Sequence, residues 1–299
     1  MKLNELVLNY QGYYTVKNPP SVAELKQYYQ NKYWQEITGI NAEMTDVERN
    51  YIANTVKLKG YVVHKFLKSF KNTLLDIGCG EGHTLNFFSK NNWQVTGLDF
   101  SNFGVKRHYP DLLPDVIIGD IYESLDKLIE NKEKFSLVVL DNVLEHVLSP
   151  SNLLKKIRLL LEEENVDSGI LVRVPNDFSV LQSFLTTEKI VNKQYWVTQP
   201  DHLNYFNVKS LAGFFSKNGF KEDIIYSDWP IELDLLNPNT NYVENKLLGK
   251  NSHIARMMTE NIIAQNIMSD VLNYYEASAR IGLGRTITGF FSINNSVKQ

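Results

Sequence analysis

Between residues 71 and 228 the chain alternates between short apolar runs and helix-like stretches. The runs "NTLLDIG", "WQVTGLD", "DVIIGD", "FSLVVLD" and "GILVRVP" are continuously apolar rather than alternating. Continuous apolarity suits strands covered on both faces, and strands separated by helices form a parallel sheet. Four of the runs end in an acid, at Asp76, Asp99, Asp120 and Asp141. In open α/β sheets ligands bind at the carboxyl ends of the strands, so this pattern gathers four carboxylates around one crevice.

The flanks read differently. Residues 1–20 are expected to form an irregular arm ending in Pro19-Pro20. Ser21 with Glu24 makes a capping box, and the helix it opens, "VAELKQYYQNKYW", is rich in tyrosine. A second helix is expected from Thr45 to Phe70, with Val47, Tyr51, Val56, Tyr61 and Phe66 along one stripe. A loop-rich stretch at 176–207 precedes a helix, "VKSLAGFFSKN", and a strand, "GFKEDIIYSD". An insertion at 229–282 carries a long helical segment from Ser252 to Ala279, with Ile254, Met258, Ile262, Met268, Val271 and Tyr275 as its buried stripe. "GRTITGFFSI" is the last strand and pairs with "GFKEDIIYSD" across the insertion. The expected units are therefore an arm and helical lid (1–70), a core (71–228), a helical insertion serving as cap or oligomer interface (229–282), and the last strand and tail (283–299).

Composition narrows the class. Hydrophobic residues make up 43% and charged residues 22% of 299, the balance of an ordinary globular protein. A formal net charge of −3 and the lack of a basic stripe speak against a nucleic-acid partner. Cys79 is the only cysteine, which excludes an intrachain disulfide and a cysteine-rich zinc site. Neither a secretory leader nor a run of about 20 apolar residues is visible, so the expectation is a cytoplasmic protein without a membrane partner.

The stretch "LLDIGCGEGHTL", residues 74–85, bears on the ligand. A strand, a glycine turn, a helix and an acid at Asp99 form the outline of a nucleoside site, in which Asp99 accepts from the ribose hydroxyls. A dinucleotide fits poorly. Gly78 and Gly80 match G-x-G-x-x-G but His83 holds the third place, and Asp76 and Glu81 would repel a pyrophosphate. S-adenosylmethionine has a ribose, an adenine, an ammonium and a sulfonium, and no phosphate. Asp76 can attract the ammonium, the turn's amides can take the carboxylate, and Asp120 with Ile121 can recognise the adenine.

These stretches together resemble the successive motifs of class I S-adenosylmethionine-dependent methyltransferases: "LLDIGCGEG", "VTGLDFS", "IIGD" and "FSLVVLDNVLEHV". "DHLNYFNVKSLAGFFSKNGF" resembles a subgroup with ubiquinone-pathway and sugar-tailoring members. The resemblance covers residues 60–228 and the last strand. It implies an α/β, Rossmann-like, seven-stranded and mostly parallel sheet of order 3-2-1-4-5-7-6 with helices on both faces. It implies S-adenosylmethionine as cofactor, with S-adenosylhomocysteine as product. The implied contacts are Asp76, Gly78, Gly80, Asp99, Phe100, Asp120 and Ile121, with Asp141 and Asn142 near the methionine portion. In some relatives an acid three places before the glutamate of "LEH" helps bind a divalent metal. Here that place is Asn142, so no metal is expected, although Glu145, His146 and Asp141 have the chemistry for one.

Methyl transfer is an in-line displacement, so positioning supplies much of the acceleration. A hydroxyl acceptor also loses a proton. The candidate bases are His146, placed at the start of the helix after the fourth strand, then His202 in "QPDHLNYF", then Asp141. Tyr28, Tyr29 and Tyr33 are expected to close over the cofactor, with aromatic faces near the sulfonium, and Tyr33 to contact it. The acceptor is expected to be a small molecule, a sugar in nucleotide-linked or cell-surface form. A phenol or quinone precursor is the alternative, an amino-sugar nitrogen comes third, and a catalytically silent scaffold is the rival from another class. A homodimer through the insertion is also compatible with the sequence.

Overall fold

The computed structural model describes residues 5–28, 44–162 and 167–294. Two three-residue strands, β1 (Leu6–Leu8) and β2 (Tyr14–Val16), lead into helix α1 (Val22–Tyr28). After α2 (Asp46–Phe66) the core alternates through β3 (Thr73–Ile77), α3 (His83–Lys90), β4 (Gln94–Asp99), α4 (Phe103–His108) and β5 (Val116–Ile118). It continues through α5 (Ile121–Glu130), β6 (Leu137–Asp141), α6 (Pro150–Leu160) and β7 (Gly169–Pro175). Then follow α7 (Val180–Thr187), β8 (Asn204–Tyr205), α8 (Val208–Lys217), β9 (Phe220–Ser227), α9 (Gly249–Ile263), α10 (Met268–Arg280) and β10 (Thr286–Ile293).

The main sheet has the order β5-β4-β3-β6-β7-β10-β9, which is the expected 3-2-1-4-5-7-6. β10 runs antiparallel to both β7 and β9, and the remaining pairs are parallel. Adjacent residues of a strand enter opposite cores. Leu75 and Ile77, with Val138 and Leu140, pack with α5, α6 and α8 on one side. Leu74, with Leu137 and Val139, packs with α2, α3 and α10 on the other. This two-sided burial is why the runs read as continuously apolar. Each fully buried leucine or phenylalanine contributes about 1.5–3 kcal/mol.

Helix α2 starts where expected, at a capping box in which Thr45 and Glu48 satisfy each other's backbone amides. Its Gly60 permits close packing, since a Cβ there would lie 2.4 Å from the Phe87 ring. The Ser21–Glu24 box of α1 is also present. Tyr29 and Tyr33 lie outside the described residues.

Three expectations are corrected. The arm before Pro19 is a β-hairpin: β1 pairs with β2, and β2 with β8, in a small sheet beside the main one. The single helix expected over 252–279 is two helices, parted at 264–267. Its stripe holds in α10, where Val271 and Tyr275 are buried. In α9 it does not, because Met258 and Ile262 are exposed while Met257, Ser252 and Glu260 face inward. The register shifts because α9 packs on α2 through polar contacts: Asn54 donates to Asn261 at 2.9 Å, and Asn261 to the Val47 carbonyl at 3.0 Å. Arg256 binds Asp228 and Glu260 and lies over the Tyr51 ring.

Candidate active site

The ends of β3, β4, β5 and β6 open into a cavity of about 530 Å³. Asp76, Gly78, Gly80, Asp99, Phe100, Asp120, Ile121, Asp141, Asn142 and His146 all line it, so ten of the residues selected from sequence converge on one space. Volumes of this size suit a nucleoside-sized ligand.

The glycine turn after β3 is held by its neighbour strand. The amides of Gly78 and Cys79 donate to the Leu98 carbonyl at 2.7 and 3.1 Å, and the Gly80 amide donates to Asp99 Oδ2 at 2.8 Å. Gly78 has φ +72°, and a Cβ on it would lie 2.5 Å from Val143 Cγ2. Only glycine meets both conditions. Helix α3 follows with no side-chain cap, so its N-terminus presents amides where an anionic group can bind.

Asp76 is 2% exposed and its Oδ1 has no hydrogen-bond partner. Burial, aided by Asp141 and Asp99, pushes its carboxyl up to about 8. Burial likewise raises Asp99, against the pull of the Ser101 and Gly80 amides. An orphaned buried carboxylate oxygen is costly, and a cationic ligand is what relieves it. Glu81 is differently placed from the expectation: His83 Nε2 sits 2.9 Å and His108 Nε2 3.6 Å from its carboxylate. The preference for a cation therefore rests on Asp76. Asp120 serves its helix, since Oδ1 accepts from the Tyr122 and Glu123 amides at 2.9 and 3.1 Å; one oxygen is thus committed to the cap.

Two residues at this site had not been singled out from the sequence. Lys59 of α2 forms an ion pair with Asp141, and Arg173 of β7 lies 3.8 Å from the same carboxylate. Burial raises the Asp141 pKa, but the two cations outweigh it and hold the group below the ordinary carboxylate value. Asp141 is thus paired with two cations, which makes it a weaker base than its position alone suggests. The sequence did carry a signal. An arginine inside the apolar run "GILVRVP" and a lysine on the buried stripe of α2 both require buried partners.

His146 lines the cavity but does not begin a helix. It sits in the turn after β6, and α6 starts only at Pro150. This turn is laced to β8: the Leu203 and Asn204 amides donate to the Glu145 carbonyl, and Asn204 Nδ2 donates to the Leu144 and Val147 carbonyls. His146 Nδ1 is 2.8 Å from the Asp201 carbonyl. A carbonyl oxygen only accepts, so Nδ1 carries the proton and Nε2 the lone pair. Burial lowers the His146 pKa, opposed by Asp201, which favours the neutral ring. Its ring packs edge-on against His202 at 4.9 Å. His202 does not line the cofactor cavity, and burial, together with His146, drives its pKa down to about 3. Glu145, 1% exposed with Oε2 unpartnered, is raised well above its ordinary value by burial. Glu145, His146 and His202 place one donor atom each within 4.8 Å of one another, the spacing a cation would bridge. His202, not Asp141, completes that trio.

Among the described residues, helix α1 reaches the mouth of the cavity through Val22 and Leu25. Tyr28 donates from its hydroxyl to Asp201 Oδ1 at 2.9 Å, tying α1 to the residue that orients His146.

The methyltransferase-domain family matches residues 52–223, more than half of the chain, and the chain belongs to that family. It is an S-adenosylmethionine-dependent methyltransferase, and the groups described above fit that cofactor: an unpartnered carboxylate oxygen for its ammonium and a side-chain-free turn for its backbone approach. Solved structures share the fold. A candidate sarcosine dimethylglycine methyltransferase from Galdieria sulphuraria superposes with TM-score 0.50 and 14% identity over 90% of this chain and 98% of its own. The plantazolicin methyltransferase BpumL in complex with SAH gives 0.50 and 14% over 91% and 94%. The plantazolicin methyltransferase BamL gives 0.50 and 12% over 91% and 95%. No curated protein matches the chain. Among the described residues no helix is long and apolar enough to cross a membrane.

Proposed function

We propose that this methyltransferase O-methylates a small-molecule acceptor, a hydroxyl of a nucleotide-linked or cell-surface carbohydrate, with His146 as general base. The observation that carries the reading is the His146 tautomer. Nδ1–H is spent on the Asp201 carbonyl, which assigns the lone pair to Nε2, 3.7 Å from Glu145 Oε1, on a ring that lines the cofactor cavity.

When bound, the cofactor supplies a methyl group activated by its sulfonium. The chain supplies position and a proton acceptor. Asp76 would hold the ammonium, the uncapped start of α3 the carboxylate, since the amides of Gly78, Cys79 and Gly80 are already spent within the protein, and Asp99 the ribose. His146 Nε2 accepts the hydroxyl proton as the acceptor oxygen becomes the nucleophile, and the new positive charge is shared with the Asp201 carbonyl through Nδ1–H. Ideal orientation is worth up to about 7–11 kcal/mol. The base adds about 10²- to 10⁴-fold for an acceptor that must lose a proton. The carbohydrate is supported by the resemblance of "DHLNYFNVKSLAGFFSKNGF" to sugar-tailoring members of the family. The trio of Glu145, His146 and His202 acts without a metal in this reading.

The test is release of S-adenosylhomocysteine across a panel of free sugars, nucleotide-linked sugars and phenols, with and without a chelator. Turnover on a carbohydrate, insensitive to the chelator, is expected. His146→Ala should lower kcat by about 10²- to 10⁴-fold while changing cofactor affinity less than about threefold. Turnover on phenols alone would replace the acceptor class. Loss of activity on chelation would turn the trio into a metal centre, and equal loss of kcat and affinity in the variant would remove the base.

A further inference from the structure

A second cavity, about 860 Å³, opens beside the N-terminal hairpin. It shares no lining residue with the cofactor cavity. The two are nonetheless close: Tyr14, Phe178 and Val197 of its wall pack in one hydrophobic cluster with Leu25 and Leu148, which line the cofactor cavity.

The wall chemistry is specific. Tyr14, Phe178, Tyr195 and Tyr242 supply four aromatic rings, with Tyr14 and Phe178 4.5 Å apart at their centroids. The Tyr195 hydroxyl is buried without a hydrogen-bond partner among the described residues. Lys193 and Lys246 stand exposed on the rim, while the one lining acid, Glu5, is engaged by Lys17 at 2.8 Å. The available charge is positive, although the chain as a whole carries −3. A cationic, phosphate-free molecule such as the cofactor is repelled here. A phenol would use the rings and leave the lysines without a role. A planar base that stacks on the rings, followed by phosphates that meet the two ammonium groups, uses both.

We propose that this cavity binds a nucleoside diphosphate, the carrier of the sugar whose hydroxyl is methylated. The link to the acceptor rests on the carbohydrate reading above; the nucleotide site itself does not. The hairpin couples the two cavities, because β2 pairs with β8, and β8 holds the His146 turn.

The experiment is titration of the full chain with uridine, guanosine, cytidine and thymidine diphosphates, inorganic phosphate and the corresponding nucleosides. Calorimetry and tryptophan fluorescence are the readouts, since Trp196 packs 5.2 Å from Tyr195 and 5.5 Å from Phe178. One diphosphate should bind saturably, its nucleoside and inorganic phosphate at least about tenfold more weakly. The double variant Lys193→Ala with Lys246→Ala should weaken that diphosphate about tenfold or more and leave S-adenosylhomocysteine binding unchanged. Phe178→Leu should reduce the difference between bases. Failure of every diphosphate to bind, or unchanged affinity in the double variant, overturns the site. Diphosphate binding with no methylation of any nucleotide-linked sugar keeps the site and overturns its link to the acceptor. Methylation of free sugars without diphosphate binding keeps the carbohydrate reading and overturns the site.

Discussion

The two cavities are built on opposite plans. The cofactor cavity is made from the ends of four neighbouring strands, and its chemistry comes from backbone amides, glycine and carboxylates set at fixed places along the alternation. The second cavity takes its wall from four segments far apart in the chain, around residues 5–14, 178, 193–197 and 242–246, and its chemistry comes from rings and lysines. The first plan fixes a ligand common to many proteins of one fold. The second leaves the composition of each loop free to vary, which is where an acceptor preference can be set.

The sharpest way to break the comparison is Gly78→Val. The new side chain would need φ +72° and would collide with Val143. Left-handed backbone costs about 1–2 kcal/mol and overpacking about 1–3 kcal/mol, so cofactor affinity should fall about 100-fold. Calorimetry should show diphosphate binding intact in the same variant; simultaneous loss of both would mean that the cavities are one unit.

A smaller effect comes from Asp76→Asn. The Asp76 pKa, raised to about 8, lies above the ordinary 3.8 of an unfolded chain. A raised carboxyl favours the folded state fully below about pH 4, and that contribution is lost as pH rises through about 8. An ammonium beside Asp76 favours the carboxylate, so cofactor binding near neutrality should expel a proton. Calorimetry in two buffers of different ionisation enthalpy should detect up to about one proton in the wild type and none in the variant, whose affinity should drop about 10- to 100-fold. Equal proton counts would place the ammonium elsewhere.

The smallest expected change is Tyr28→Phe, which removes the bond from α1 to Asp201. A net hydrogen bond of about 0.5–1.5 kcal/mol corresponds to a two- to tenfold faster cofactor release, measurable by stopped flow. An unchanged release rate would mean that α1 covers the mouth without holding it.

The difference in plan also explains what could be read from the sequence. The strand ends were legible because two-sided burial forces unbroken apolar runs, and four of the runs end in an acid that lines the cavity. The hairpin was not, because three-residue strands carry no periodicity and β2 finds its partner almost 190 residues away. The helix break at 264–267 and the register of α9 were hidden because polar pairs such as Asn54–Asn261, rather than an apolar stripe, decide how α9 lies. His146 was found by type, but its place in a turn, and the carbonyl that sets its tautomer, follow from contacts with residue 201. Lys59 and Asp141 are 82 positions apart, a pairing that no local window contains.

The hairpin has a consequence for how the molecule is made. During synthesis its two strands emerge long before their partner and cannot complete their sheet until Asn204 and Tyr205 have left the ribosome. The β2–β8 pairing closes a very long loop, so it should be among the last native contacts to form. The Rossmann-like half can gather its own core before that moment. The second cavity, walled in part by Leu6 and Tyr14, is then completed only when the hairpin docks against β8.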